Sequence, residues 1–260
     1  MLCCPRASIL TPRDFGPKLR TTSQMAQGFT FATDPRDRLG AGVLEELAHT
    51  KRCENRNQST AMAIHDRVTR CLEHLQKGEA EDAFIHLCIA IDGTAKKCYP
   101  GKKTSVRCKS FLRDNLAFVL WSLTNGTPTR VKHLSFCFQD EGAPSGEVEF
   151  EDLVYKAMRC SLFHEGSLPD NVTFSPVDAI VMNEGRLIFP YALLGALAFA
   201  VMSSPSNADE RPTQNIQLKF GDSTFDMRDL WGDREATKSA IRNGFQYDVE
   251  EMLQALTKEP

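Results

Sequence analysis

The chain lacks the short motifs that assign a chemistry directly. It holds nine cysteines in 260 residues, but none forms a C-x-x-C pair, so no zinc framework is indicated. Neither H-E-x-x-H nor G-x-S-x-G occurs, which leaves the zincin and α/β-hydrolase classes without support. The segment GKKTS at 101–105 lacks the upstream glycine of a P-loop. We therefore expect free thiols, no metal, no cofactor and a reducing, cytoplasmic location.

Long hydrophobic runs and a charge excess are also lacking. The longest apolar run, residues 187–202, is interrupted by Pro190 and falls short of the roughly 18 continuous residues of a membrane span. It predicts a buried central helix and no membrane partner. The net charge of -3 gives no overall attraction to nucleic acid, so such binding needs a local patch. Residues 1–58 lack periodicity and predict a disordered leader before one domain at 59–260.

Apolar residues at helical spacing predict a mainly α fold, a bundle of about five to six helices with a small β-hairpin appendage. The hairpin is expected at about 171–189, with Asn183 to Gly185 reversing the chain. Residues 127–148 are rich in turn formers and predict a long loop with one short extended piece, HLSFCF. The helices are predicted from Ser59 or Thr60 to a stop at Gly78, within 79–101, over 105–123, over 148–165, from Pro190, and over 234–257.

Arg159 and His164 end the predicted fourth helix, just before Gly166. Positions five apart lie about 140° apart around a helix, so the two side chains converge only if the helix loosens or a second subunit completes the site. One interpretation is a catalytic pair. The other is an exposed arginine and a histidine that stabilises the helix C-terminus.

Asp92 lies among apolar residues of the predicted second helix, where an unpaired carboxylate is costly. It therefore needs a partner. A functional interpretation has Asp92 orienting Arg159 or His164. The alternative is a local i,i+4 ion pair with Lys96, beside a Gly93 that permits close helix packing.

A stretch of eighteen residues, 96–113, contains seven cations and no acidic residue. Such a stretch suits a phosphate backbone, with Tyr99 available to stack on a base. The alternative is a solvated loop and outer helix face. The candidate nucleic-acid-binding residues are Lys96, Lys97, Lys102, Lys103, Arg107, Lys109 and Arg113.

The segments AFIHLCIAIDGTAKKCYP and FEDLVYKAMRCSLFHEG, with a basic helix between them, resemble the HEPN superfamily over roughly residues 60–166. These proteins are compact helical bundles with an R-x4-6-H motif near the end of a later helix, and some are metal-independent ribonucleases that act as dimers. The resemblance implies a homodimer that binds RNA. In such a ribonuclease, Arg159 holds the phosphate and His164 transfers protons. Asp92 is then the residue that orients Arg159 or His164.

A second interpretation belongs to another functional class. The same helices then form a catalytically inactive interaction or dimerisation module that binds a protein partner. Cys160 favours this interpretation, because the position after the arginine is often polar in active HEPN members.

Overall fold

A computed structural model gives the fold, and it describes residues 62–127, 131, 133–138, 146–156, 168, 171–177, 179–183, 186–213 and 216–245. Several expectations lie outside these residues. They are the leader at 1–58, the Arg159 and His164 pair, Cys160, the end of the fourth helix and the last helix beyond 245.

The described chain is mainly α, as the apolar periodicity predicts, with three small sheets. The helices are α1 (Ile64–Gln76), α2 (Ala80–Cys98), α3 (Thr104–Leu123), α4 (Phe150–Lys156), α5 (Tyr191–Met202), α6 (Met227–Leu230) and α7 (Arg234–Gly244). The strands are β1 (Ser135–Phe138), β2 (Gly146–Glu149), β3 (Val172–Ser175), β4 (Val181–Asn183), β5 (Arg186–Pro190), β6 (Gln217–Phe220) and β7 (Ser223–Asp226).

Helices α1 and α2 form a helical hairpin. Gly78 has a φ of +75° and ends the first helix as predicted, because glycine adopts the left-handed conformation without a steric penalty. Within α2, a Cβ on Gly93 would lie 3.1 Å from Cγ1 of Ile64. The small residue thus allows the two helices to approach closely, which confirms the packing role expected for it.

Helix α5 is the centre of the core. Every residue from Leu193 to Met202 is buried, and α1, α2 and α3 all pack against this helix. A helix that is apolar on all sides must be covered on all sides. The prediction of a buried central helix at 187–202 is therefore confirmed, although its first residues belong to β5.

The predicted hairpin is confirmed by the antiparallel pairing of β4 with β5, in which Asn183 lies opposite Arg186. Strand β3 joins the other edge of β5 in parallel register. The extended piece predicted within HLSFCF is β1. It pairs with β2, so the expected long loop is partly a two-stranded ladder, and this part of the prediction was wrong.

Four helix starts differ from the predicted ones, and the smallest difference is in α3, which begins at Thr104 and not at Ser105. Met62 and Ala63 are not helical, and α1 begins at Ile64. Val148 belongs to β2, because its ladder with β1 delays α4 until Phe150. Pro190 is extended, with a ψ of 145°, and pairs opposite Ser175, so α5 begins one residue later.

Candidate functional site

Asp92 has a cationic partner, and the partner comes from the next helix. Nε of Arg107 donates to Oδ1 of Asp92 over 3.1 Å, and Nη2 donates to Oδ1 and Oδ2 over 2.7 and 3.0 Å. The Cys108 thiol adds a donor at 3.3 Å. Among the described ion pairs, Asp92 therefore binds Arg107 and not Lys96, so the local i,i+4 alternative was wrong.

Three other cations of the basic stretch also pair with carboxylates. Nζ of Lys97 lies 2.8 Å from Asp209 and 2.7 Å from Glu210. Burial lowers the pKa of Lys97, but the hydrogen bonds to these two carboxylates outweigh burial and raise it. The other pairs are Lys109 with Asp152 at 2.5 Å and Arg113 with Glu151 at 2.6 Å.

These ion pairs reduce the number of cations in the basic stretch that are available to bind phosphate. Four of its seven cations are neutralised within the fold, where they join α2, α3, α4 and the loop after α5. A cation that already binds a carboxylate must lose that bond before it binds a phosphate. Of the seven candidate phosphate-binding side chains, three have no carboxylate partner in the described chain. They are Lys96, Lys102 and Lys103.

Lys102 and Lys103 directly precede the start of α3. Helix α3 has neither a side-chain N-cap nor an acidic residue in its first turn. The free N–H groups and the dipole make any helix N-terminus positive, and the two exposed lysines add to this charge. Nζ of Lys102 also lies 4.8 Å from the centre of the Tyr99 ring.

The first turn of α3 also carries Val106, whose residue surface is 48% exposed. It is the one large hydrophobic residue in the described part of the chain that is exposed to this degree. We use the name α3 start for the first turn of α3 together with Tyr99, Lys102, Lys103 and Val106.

The direction of α4 relates this surface to the Arg159 and His164 motif. Glu151, near the beginning of α4, binds Arg113, whereas Asp152 and Tyr155 contact Lys109. The contacts move back along α3 as α4 advances, so the two helices are antiparallel. Lys156, the last described residue of α4, is therefore at the end of this helix that points towards the α3 start.

Sequence reasoning missed a second arginine cluster, between α3 and α7. The Arg234 guanidinium lies 4.0 Å from the centre of the Phe118 ring, and its Nη2 donates to Asn115 and to the carbonyl of Ala200. Burial lowers the pKa of Arg234 to about 10. Because 116 residues separate Phe118 from Arg234, no local spacing indicates this contact.

The expected buried thiols are present. Cys71 and Cys88 are free and lie in the core, and burial raises the pKa of each thiol. A thiol with a raised pKa is a poor nucleophile at neutral pH. These two cysteines therefore act as small apolar side chains.

The molecule is thus a mainly α protein with a helical core and a positively charged surface at the α3 start. The chain belongs to the Rv1289 family, whose model matches residues 63–254.

Relatives include uncharacterised proteins of Mycobacterium tuberculosis (Rv1289) and Mycobacterium bovis (Mb1320), each 26% identical over 177 residues, covering 66% of this chain and 84% of the relative. No solved structure matches. Among the described helices, none combines the length and apolar character needed to cross a bilayer.

Proposed function

We propose that the protein binds RNA at the α3 start and cleaves it without a metal, through Arg159 and His164 of a HEPN-like domain that acts as a homodimer. The observation that carries this proposal is the uncapped, acid-free start of α3, which directly follows two exposed lysines. The cost of gathering positive charge at a positive helix end is offset when an anion binds there.

The arrangement of α4 supports the link between binding and cleavage. Its antiparallel contacts with α3 lead the chain towards the α3 start just before Arg159. The proposal requires the Arg159 and His164 motif to act on a phosphate held by Lys102 and Lys103. Asp92 of α2, whose side chain is 43% exposed, binds Arg107 in the first turns of α3.

The chemistry needs three groups. A base removes the proton of the 2′-hydroxyl, an acid protonates the leaving oxygen, and a cation stabilises the charge that develops on the phosphorus oxygens. His164 serves as base or acid, and Arg159 serves as the cation. A homodimer supplies the second histidine, and the exposed Val106 offers apolar area for contact between the subunits.

Cleavage tests the catalytic part of the proposal. Labelled single-stranded RNA is incubated in EDTA with the wild type and with Arg159→Ala and His164→Ala, and circular dichroism checks that each variant folds. We expect cleavage by the wild type and its loss in both folded variants. Equal cleavage by a folded His164→Ala variant contradicts the proposal.

Binding tests the α3 start separately. The variant Lys102→Ala/Lys103→Ala is compared with Lys77→Ala/Lys238→Ala, which removes the same charge elsewhere. For single-stranded RNA, losing two phosphate contacts lowers the slope of log affinity against log salt by about 1.4. We expect this change, measured by fluorescence anisotropy, only in the first variant. Equal effects in both variants contradict a local site.

The second candidate function is the catalytically inactive interaction module. The specific observation in its favour is the neutralisation of Lys97, Arg107, Lys109 and Arg113 by carboxylates, because it removes most of the predicted phosphate contacts. A wild type that neither cleaves nor binds RNA but forms a dimer in sedimentation experiments supports this function. The variant Val106→Glu then weakens the dimer if the α3 start is its surface.

A further inference from the structure

The turn between α1 and α2 gathers three side chains of the types that bind metals. These are His74 in the last turn of α1, Glu79 directly before α2, and Asp82 in the first turn of α2. Their ligand atoms all lie within 4.8 Å of one another. The group faces solvent at the end of α2 away from the α3 start. These ends are about 27 Å apart at 1.5 Å per helical residue.

The backbone holds two of the three residues in place. The amide of Glu79 donates to the carbonyl of His74 over 2.9 Å, and the amide of Lys77 donates to the same carbonyl over 3.1 Å. The carbonyl of Glu79 in turn accepts from Ala83 in α2. The turn therefore fixes the backbone of His74 and Glu79, from which their side chains reach each other.

The side chains are near the spacing that one ion requires. In a tetrahedral site, two ligand atoms about 2.1 Å from the ion lie about 3.4 Å apart. Nδ1 of His74 lies 2.7 Å from Oε2 of Glu79, and the atoms of the group extend to 4.8 Å. Rotation of the exposed Asp82 side chain closes the remaining gap.

The charges of the group also favour a cation. Glu79 and Asp82 are close together, and the bond between His74 and Glu79 accounts for only one of them. No ion pair of Asp82 occurs within the described residues. The imidazole of His86 stacks on His74 with ring centres 5.3 Å apart, and its Nδ1 is 3.1 Å from Nη1 of Arg67.

We propose that His74, Glu79 and Asp82 bind one divalent transition-metal ion of the zinc class, with water completing its coordination. Imidazole nitrogen with carboxylate oxygen suits such ions, whereas an all-oxygen set suits magnesium or calcium. The ion takes the place of the proton shared by His74 and Glu79. This site is separate from the metal-free cleavage proposed above, and it replaces the sequence-based expectation of no metal.

Co²⁺ is the probe, because its visible spectrum separates nitrogen and oxygen ligands from thiolates, and the chain holds nine cysteines. The full-length reduced protein is titrated as wild type, His74→Ala and Asp82→Asn. Glu81→Gln is the matched control, since it removes one charge from the same helical turn without removing a ligand. His133→Ala controls for binding to an exposed histidine elsewhere.

We expect one Co²⁺ per chain with nitrogen and oxygen ligands, displaced by Zn²⁺. Affinity should fall about tenfold or more in both ligand variants, an effect typical of damaged metal sites, and stay unchanged in both controls. The proposal is overturned if Asp82→Asn and His74→Ala bind like the wild type, if Glu81→Gln loses as much affinity as Asp82→Asn, or if only thiolate bands appear. RNA cleavage in EDTA is unaffected by any of these outcomes.

Discussion

Glu151 depends on a partner that is much more exposed than itself. Its side chain is 5% exposed, whereas that of Arg113 is 55% exposed. Burial removes water from the carboxylate, so its charge is stabilised by the Arg113 guanidinium and by the N-terminus of α4. The hydrogen bond from Arg113 to Glu151 correspondingly raises the pKa of Arg113. The pair fixes α4 on α3.

Removing this partner should destabilise the fold. We expect Arg113→Ala to lower the free energy of unfolding by about 1–2 kcal/mol, because a buried carboxylate loses its hydrogen-bonding cation while the helix N-terminus remains. Urea unfolding measures the change. Lys102→Ala, which removes an exposed lysine, should stay within about 0.5 kcal/mol of the wild type. Equal stability of the two variants would contradict the structural role of the pair.

His86 should make stability depend on pH. Burial, and then the charges of Arg67, His74 and Arg70, lower its pKa below the ordinary 6.5, while Asp82 acts in the opposite direction. The unfolded chain therefore binds the proton more readily. The contribution of His86 is fully present above pH 6.5 and is lost as pH falls towards the lower pKa of the folded state.

The variant His86→Gln isolates this contribution. Urea unfolding of the metal-free wild type should give a lower free energy of unfolding below pH 6.5 than above it. The loss should be smaller in His86→Gln, which cannot be protonated. A variant with the same pH dependence as the wild type would assign the effect to other groups.

The sequence indicated that Asp92 has an ion-pair partner but did not identify that partner. Asp92 does have a partner, but its side chain is 43% exposed, so the burial from which a partner was expected is only partial. Lys96 was the candidate because i,i+4 neighbours are visible in a sequence, whereas Arg107 lies 15 residues away across a turn. Composition likewise counts the cations at 96–113 but not the carboxylates that approach them from α4 and from the loop after α5.

At the scale of elements, α3 and α7 are held together by arginines on aromatic rings. Arg234 lies over Phe118 at 4.0 Å, and Arg242 lies over Trp121 at 5.5 Å. The planar guanidinium of Arg234 stacks and donates to Asn115 at the same time, so it is well suited to a half-buried position. Arg242 is exposed and contributes less.

Replacing each arginine by lysine tests whether the two positions contribute differently to stability. We expect Arg234→Lys to lower the free energy of unfolding by about 1–2 kcal/mol, since an ammonium group keeps the charge but loses the planar stacking and the fork of donors. Arg242→Lys should change it by less than about 0.5 kcal/mol. Thermal and urea unfolding provide the comparison. A loss in Arg242→Lys as large as in Arg234→Lys would assign the effect to charge and not to geometry.

Element boundaries were predictable where local chemistry decides them. Gly78 ends α1 and the apolar run forms α5, because backbone conformation and burial act on neighbouring residues. The start of α4 was not predictable, because Val148 fits a helix or a strand and only its opposite residue Phe136 in β1 selects the strand. Pro190 is likewise compatible with the end of a strand and with the first position of a helix, so the sequence alone did not place it in β5.

At the scale of the whole molecule, the core lies within the segment that the family model matches. That match begins at residue 63, and α1 begins at Ile64 and packs on α2 and α5. The lack of periodicity before residue 59 and the start of the family match are independent observations. The boundary predicted at residue 59 therefore lies four residues before the start of the family match.

Deleting residues 1–58 should therefore leave folding unchanged. The chain that begins at residue 59 keeps Ile64, Val68 and Leu72, the buried residues through which α1 contacts the core. We expect its free energy of unfolding to stay within about 0.5 kcal/mol of the full chain, as is usual for changes that remove no buried contact. A second truncation that begins at residue 77 removes α1 and exposes the apolar faces of α2 and α5, so it should unfold or aggregate. If the first truncation is as unstable as the second, the leader belongs to the core, and the domain begins before residue 59.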